Sequence, residues 1–280
     1  MSTELFAVLL GVMSAISWGA GDFSGGLAAK KTAVFSVVVI SQMVGGVLLL
    51  VLALLLGEAV PSSGDLIWGA VAGLAGGLGL AALYRGLAVR PMGIVAPVAA
   101  VVTAVVPVSY AALQAGLPPI VQLVGFGLAL LAVWLVTVPN GETAVSWRDL
   151  DLPVLAGLGF GIFLLLIGRV STNAVLWPLA SARLASVIIL GVFAWRHPGT
   201  QWPARRSLLL IALAGLLDTG GNALYALAAR YGRLDIAAVL SSLYPASTVL
   251  LARVVLGEYL HRRQWVGVVL ALTAVLLIAL

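Results

Sequence analysis

Residues Gly232 to Gly267 read GRLDIAAVLSSLYPASTVLLARVVLGEYLHRRQWVG. A charged turn, Arg230 to Asp235, opens this stretch, and an apolar span carrying Ser241, Ser242 and Tyr244-Pro245 follows. Gly257-Glu258 and the basic turn His261-Arg262-Arg263 then lead into another apolar run. A proline inside an apolar helix frees a carbonyl and bends the rod, which a membrane tolerates where neighbours or cavity water satisfy the freed group. Serines beside it bond back to the helix or face a polar cavity. The stretch therefore reads as two apolar spans, the first bent at Pro245, joined by a tight interfacial hairpin.

Composition extends this reading to the whole chain. Of 280 residues, 62% are hydrophobic and 9% charged, and the mean hydropathy is +1.16. A soluble domain carries about 25% charged residues, so this chain cannot cover a water-facing surface. It reads as an all-α integral membrane protein with the lipid bilayer as its solvent. The net charge of +5 is spread singly or in pairs between apolar runs, as topology determinants are, which argues against a nucleic-acid partner. The chain has no cysteine, which excludes disulfides, thiol catalysis and thiolate metal sites. Its N-terminal apolar run lacks a positive region before it and reads as a first transmembrane helix rather than a cleaved signal.

At roughly 20 apolar residues per span, ten spans are expected: 5–24, 33–57, 66–88, 93–115, 119–139, 152–168, 174–194, 207–229, 235–256 and 264–280. The polar segment Asn140 to Asp151 divides them five and five, so 1–140 and 152–280 form two five-helix repeats joined by 141–151. Ala82-Leu83-Tyr84 recurs as Ala223-Leu224-Tyr225, Gly116 as Gly257, and Gln122…Gly125 as Gln264…Gly267. At the offset that pairs Gly116 with Gly257, Ser41-Gln42 falls opposite Ala182-Arg183. An odd number of spans per repeat forces the copies to insert in opposite directions, an inverted-topology repeat common among alternating-access transporters.

The motifs Ser241-Ser242-Leu243-Tyr244-Pro245, Leu250-Leu251-Ala252, Leu256-Gly257-Glu258 and Gln264…Gly267 resemble the pattern that ends each half of EamA-type transporters of the drug/metabolite transporter superfamily. Trp18-Gly19 is similar to the Trp-Gly step of that family's first helix. The resemblance covers nearly the whole chain. It implies a multi-pass protein of the cytoplasmic membrane with five plus five helices, of which the first, third, fourth, sixth, eighth and ninth surround the pathway. The first half departs from the pattern, with Leu117-Pro118-Pro119 where the second has Glu258-Tyr259-Leu260. Orientation divides the two lines of argument. Basic residues crowd the loops after spans 1, 3, 5, 7 and 9, which by the positive-inside rule places both termini outside. The family resemblance implies cytoplasmic termini.

A charge near the bilayer centre costs about 2.5–3.5 kcal/mol even on an insertion scale, so each one needs a reason. Arg183 and Asp218 lie near mid-span, either as a structural ion pair or in a water-filled cavity. In a cavity, Arg183 matches a substrate carboxylate and Asp218 is the candidate for proton coupling. Asp218, Asn222 and Tyr225 share one helix face, with Gly220-Gly221 between them. Ser14, Trp18 and Asp22 form a similar stripe, with Asp22 near the span's exit as a second proton-coupling candidate or a solvated cap before Ser24-Gly25-Gly26. Span 4 carries Thr103, Pro107, Tyr110 and Gln114, and Pro97 and Pro107 should bend it as Pro245 bends span 9, giving hinges in both halves. Tyr84, Tyr110, Tyr225, Tyr244 and Trp18 supply aromatic walls, and Ser241 a hydroxyl. Gly73 to Gly77 is a GxxxG, for packing inside the bundle or for making a homodimer of an otherwise monomeric chain.

The histidines, His197 and His261, fall in loops, and no paired-carboxylate, metal or Walker spacing occurs, so neither an enzyme, nor a cofactor, nor ATP-driven transport is expected. The expected function is secondary transport, as an exporter of small organic metabolites. Through the resemblance these are amino acids, related metabolites or amphipathic drug-like compounds. A passive uniporter or a lipid-carrier flippase is the alternative.

Overall fold

A computed structural model describes residues 3–115, 119–137, 147–170, 175–196, 203–231, 240–241 and 243–279. Among the described residues the chain is helices and short connections, with no strand. The first five long helices are α1 (Thr3–Ala29), α2 (Val34–Leu55), α3 (Ser63–Val89), α4 (Met92–Ala115) and α5 (Ile120–Thr137). A 3-10 turn, Trp147–Leu150, leads into α6 (Asp151–Ile167), α7 (Leu176–Arg196), α8 (Arg205–Tyr231), α9 (Tyr244–Leu256) and α10 (Arg262–Ala279).

Local chemistry sets several of these ends. Ser62 caps α3, its Oγ accepting the Asp65 N–H at 3.2 Å and donating to the Asp65 carboxylate at 2.8 Å. Gly57 and Gly257 close α2 and α9 in the left-handed region, with φ of +65° and +66°, which glycine adopts without a Cβ penalty. Span 9 differs from the expectation of one helix bent at Pro245. Pro245 stands in the first turn of α9, where its missing N–H leaves nothing unsatisfied, so it starts a helix instead of kinking one. Residues 235–239 and Ser242 of that expected span lie outside the described residues. In α4 the helix continues through both Pro97 and Pro107.

Among the described residues, five helices are long and apolar enough to cross a membrane by length and composition, and four shorter apolar helices accompany them. Their outer faces are apolar: Leu54, Leu55, Leu130, Leu209 and Val254 are each 69–77% exposed. Water would not tolerate such a surface, whereas lipid requires it. The fold is that of an all-α, multi-pass membrane protein.

Helices of the two halves interleave. The helix pairs in contact include α1–α8 and α3–α6, α1–α9 and α4–α6, α2–α8 and α3–α7, together with α2–α7, α4–α9 and α5–α10. Small residues let these backbones approach. Gly73 of α3 faces the Ala182 backbone of α7, and Gly215 of α8 faces Ser41 of α2. The Gly73 to Gly77 face is therefore occupied inside the chain, Gly77 lying on Ser186. Because helix direction alternates, one face of the bundle (face I) holds the start of α1 and the α2–α3 and α6–α7 connections. The opposite face (face II) holds the α3–α4 and α9–α10 connections and the start of α6.

Candidate functional site

The α1–α8 seam, with Arg183 of α7 reaching it across the bundle, places polar atoms next to one another in the middle of the bundle. Along the α1–α8 seam, Ser14 and Ser17 donate to the carbonyls of Gly221 and Leu217 at 2.8 and 2.7 Å. Trp18 donates its indole N–H to the Asp218 carbonyl at 3.1 Å. Gly221 has a steric purpose: a Cβ there would stand 2.5 Å from the Trp18 ring. The Gly220-Gly221 step thus admits an indole against α8.

Asp218 is held from the other side by Arg183. The Arg183 Nη2 lies 2.5 Å from the Asp218 carboxylate, and its Nη1 donates to the Gln42 side-chain oxygen at 2.9 Å. Neither partner is sealed off, since the side chains keep 16% and 24% of their exposure. Both mid-span charges therefore meet, and both also border open space. Asn222 donates to the Asp218 carbonyl at 2.9 Å.

That space is a cavity of about 530 Å³. At its inner end it is lined by Trp18, Asp22, Gln42, Thr103, Arg183, Ser186, Asp218, Asn222, Tyr225 and Tyr244. Trp18 is the centre of the aromatic wall, its ring 6.0 Å from that of Tyr225 and 6.3 Å, edge to face, from that of Tyr244. Toward face I the lining turns apolar, through Phe160, Phe163, Leu164 and Ile167 of α6 to Val170, Val175 and Pro178 beside the α6–α7 connection. The cavity thus runs from the bundle centre to face I, with its polar groups deepest.

Of the residues singled out in the sequence, Trp18, Asp22, Arg183, Asp218, Asn222, Tyr225 and Tyr244 are brought together. Three others lie elsewhere. Tyr84 is 1% exposed and packs its ring on Gly25 of α1, inside the apolar core, in hydrogen-bond contact with Ser41. Tyr110 accepts hydrogen bonds from Gln114 and Arg169, both at 2.7 Å, toward face I. Ser241 is buried with its hydroxyl 3.4 Å from the Gly11 carbonyl. Pro97, Pro107 and Pro245 do not line the cavity. Conversely, Gln42 and Phe163 line it, and composition and periodicity did not mark them. The one signal for Gln42 was its place opposite Arg183 at the repeat offset. Among the described residues no cluster suited to a metal ion occurs.

Comparison with known proteins places this architecture. The model of the EamA-like transporter family matches residues 152–280, which hold α6 to α10. No match was found among curated proteins. Fourteen chains of solved structures match. One of them, described only as the crystal structure of a protein, is similar at a TM-score of 0.64 and 16% identity, over 97% of this chain and 95% of that one. That likeness concerns the fold. The family is one of transporters rather than enzymes. The family match lies in the second half of the chain, residues 152–280, and is consistent with a membrane transporter of the EamA type in the drug/metabolite transporter superfamily.

Proposed function

We propose that the chain is a secondary transporter of small amphipathic organic molecules, an exporter of amino acids, related metabolites or drug-like compounds, working by alternating access in the cytoplasmic membrane. The observation that carries this reading is the cavity: about 530 Å³, apolar at its mouth, with the Arg183–Asp218 pair and an aromatic cluster at its inner end. Sites for small molecules typically run to about 300–1,000 Å³, mostly apolar with a few placed polar groups. A substrate's charged end would reach Arg183 while its apolar part lies along Phe160 and Phe163. A guanidinium that leaves Asp218 for a substrate carboxylate keeps its bond to Gln42, so it stays oriented while it changes partner. Asp218, released, is then free to take a proton, and Asp22 supplies a second carboxylate on the same wall.

The interleaved helices support the rest of the mechanism. The contacts α1–α8, α1–α9 and α2–α8 have the counterparts α6–α3, α6–α4 and α7–α3, as an exchange of the two halves requires. Gln42 and Arg183, in hydrogen-bond contact, are themselves 141 residues apart, the offset between the halves. We read this as two inverted five-helix repeats whose equivalent residues meet near the exchange axis, an arrangement that can open to either face around one site.

Uptake and counterflow in proteoliposomes test the reading, with a panel of amino acids and amphipathic cations, with and without a pH gradient. Gradient-dependent accumulation of a panel compound is expected. Counterflow without accumulation would make the protein a facilitator, and no flux of any soluble compound would turn attention to lipid carriers.

A further inference from the structure

The cavity opens toward face I, so something must close its path to face II. Below Asp22 the path meets Gly26, one turn further along α1, with Leu87 and Met92 packed against it. The Met92 side chain is fully buried. Met92 belongs to the turn Arg90-Pro91-Met92-Gly93, which joins α3 to α4 in the first half. The second half grips this turn from two sides. Arg90 donates to the Asp149 carbonyl and to the Asp151 carboxylate, the latter at 2.6 Å, and its Nε lies 3.6 Å from the Asp149 carboxylate. Glu258, from the α9–α10 connection, accepts the Met92 and Gly93 N–H groups at 3.1 and 3.2 Å.

Those two N–H groups begin α4 and have no partner within the helix, so a carboxylate placed there satisfies them and meets the positive end of the helix dipole. The left-handed Gly257 is what aims Glu258 across the gap between halves. Leu260 seals the same point, its Cδ1 standing 2.8 Å from where a Cβ on Gly93 would be. These links differ in kind from the Arg183–Asp218 pair. They lie at the aqueous face, where water can replace each one, so they can part without stranding a buried charge.

We propose that Arg90-Pro91-Met92-Gly93 is the face-II gate of the transport cycle, with Met92 as its plug and Glu258, Asp149 and Asp151 of the other half as its latch. The proposal rests on the alternating-access reading above. In it, the structure is the state with face I open and face II latched. Opening face II requires the first-half turn to leave both acidic partners together, so weakening either side shifts the population toward the opposite state.

The chain has no cysteine, so a single introduced thiol reports accessibility cleanly. Ala96→Cys lies one turn into α4 from Met92 at a site that is 1% exposed. Val175→Cys lies at the face-I mouth, where the side chain is 42% exposed. The probe is the impermeant cation 2-(trimethylammonium)ethyl methanethiosulfonate. Glu258→Gln and Arg90→Gln should each raise the labelling rate of Ala96→Cys about two- to five-fold, the shift expected from losing one such cap, and lower that of Val175→Cys. Rates at Ala96→Cys that do not change, or that rise together with those at Val175→Cys, overturn the gate. Should either variant fail to insert, the pair Gly93→Cys with Leu260→Cys gives an independent test. Oxidising it must abolish counterflow of every panel compound the parent protein carries, and reduction must restore it; counterflow that survives full cross-linking overturns the gate. Labelling of Ala96→Cys in otherwise unaltered protein as fast as that of Val175→Cys, both at the rate of a fully exposed thiol, would instead remove alternating access itself, and the gate with it.

Discussion

At the scale of single residues, the arrangement around Asp218 separates two duties that a carboxylate in a membrane can have. Its carbonyl belongs to the helix seam, receiving Trp18 and Asn222, while its carboxylate faces Arg183 and the cavity. Asp218→Asn should therefore leave the seam intact and remove the proton site. Gradient-driven uptake should vanish while exchange persists, as measured by counterflow, and survival of both activities would refute the coupling role. A second carboxylate is governed by an aqueous neighbour. The hydrogen bond from Arg90, and then that from the Leu152 N–H, hold the Asp151 carboxyl below its usual value of 3.8. A lowered folded-state value means that this link favours the folded protein above the ordinary carboxylate range, and that the gain is lost as pH falls through the lowered value. Thermal unfolding in detergent across pH should thus show a difference between wild type and Asp151→Asn at neutral pH that closes in strongly acid solution. A difference that persists unchanged in acid would exclude the linkage.

At the scale of elements, glycine has opposite meanings on α3 and α5. On α3, a Cβ at Gly73 would stand 2.5 Å from the Ala182 Cα, and backbone cannot give way as a side-chain tip can. Gly73→Ala should cost about 1–3 kcal/mol, as overpacking does. On α5, Gly127 has nothing within 4 Å of the position its Cβ would take, so Gly127→Ala should gain about 0.5–1 kcal/mol from helix entropy alone. Melting temperatures of the two variants should move in opposite directions. Glycine–glutamate steps likewise act between elements. Glu58 follows the left-handed Gly57 and accepts the N–H groups of Val175, Leu176 and Trp177 at the start of α7, at 3.3, 2.9 and 3.1 Å. Since α7 also carries Arg183, Glu58→Ala should weaken binding of the transported panel compound as well as stability. Unaltered binding would show that the α2–α7 and α3–α7 packing positions Arg183 unaided.

At the scale of the whole molecule, the basic residues are divided unequally between the two faces. Lys30, Lys31, Arg90, Arg196, Arg205, Arg262 and Arg263 fall at face II, whereas Arg169 lies at face I. The positive-inside rule predicts that face II is cytoplasmic, which would make the cavity open outward and start α1 outside. Reporter fusions in the α2–α3 and α9–α10 connections would test this, the first expected outside and the second inside. The reverse result would uphold the cytoplasmic termini that the family resemblance implies.

Much of this architecture was legible in the chain itself. Apolar runs of membrane length and the scarcity of charge determined a helical membrane protein, because burial in lipid acts on each segment separately. The energetic penalty on a lone mid-span charge likewise singled out Arg183 and Asp218, as an ion pair or as cavity groups, and they pair at the cavity wall. Other features depended on tertiary packing. Asp22 reads equally as a solvated cap before Ser24-Gly25-Gly26, yet α1 continues to Ala29, with Tyr84 and Leu87 packed into the space those glycines leave. That continuation carries Asp22 into the cavity wall, and the same contact withdraws Tyr84 from it. Gln42, Glu58 and Glu258 each act on a partner more than 100 residues away. Periodicity reports which side of a helix is apolar, a property of neighbours in the chain. Which polar groups meet across the bundle is decided by how closely small residues let the helices approach, and only the folded chain sets that distance.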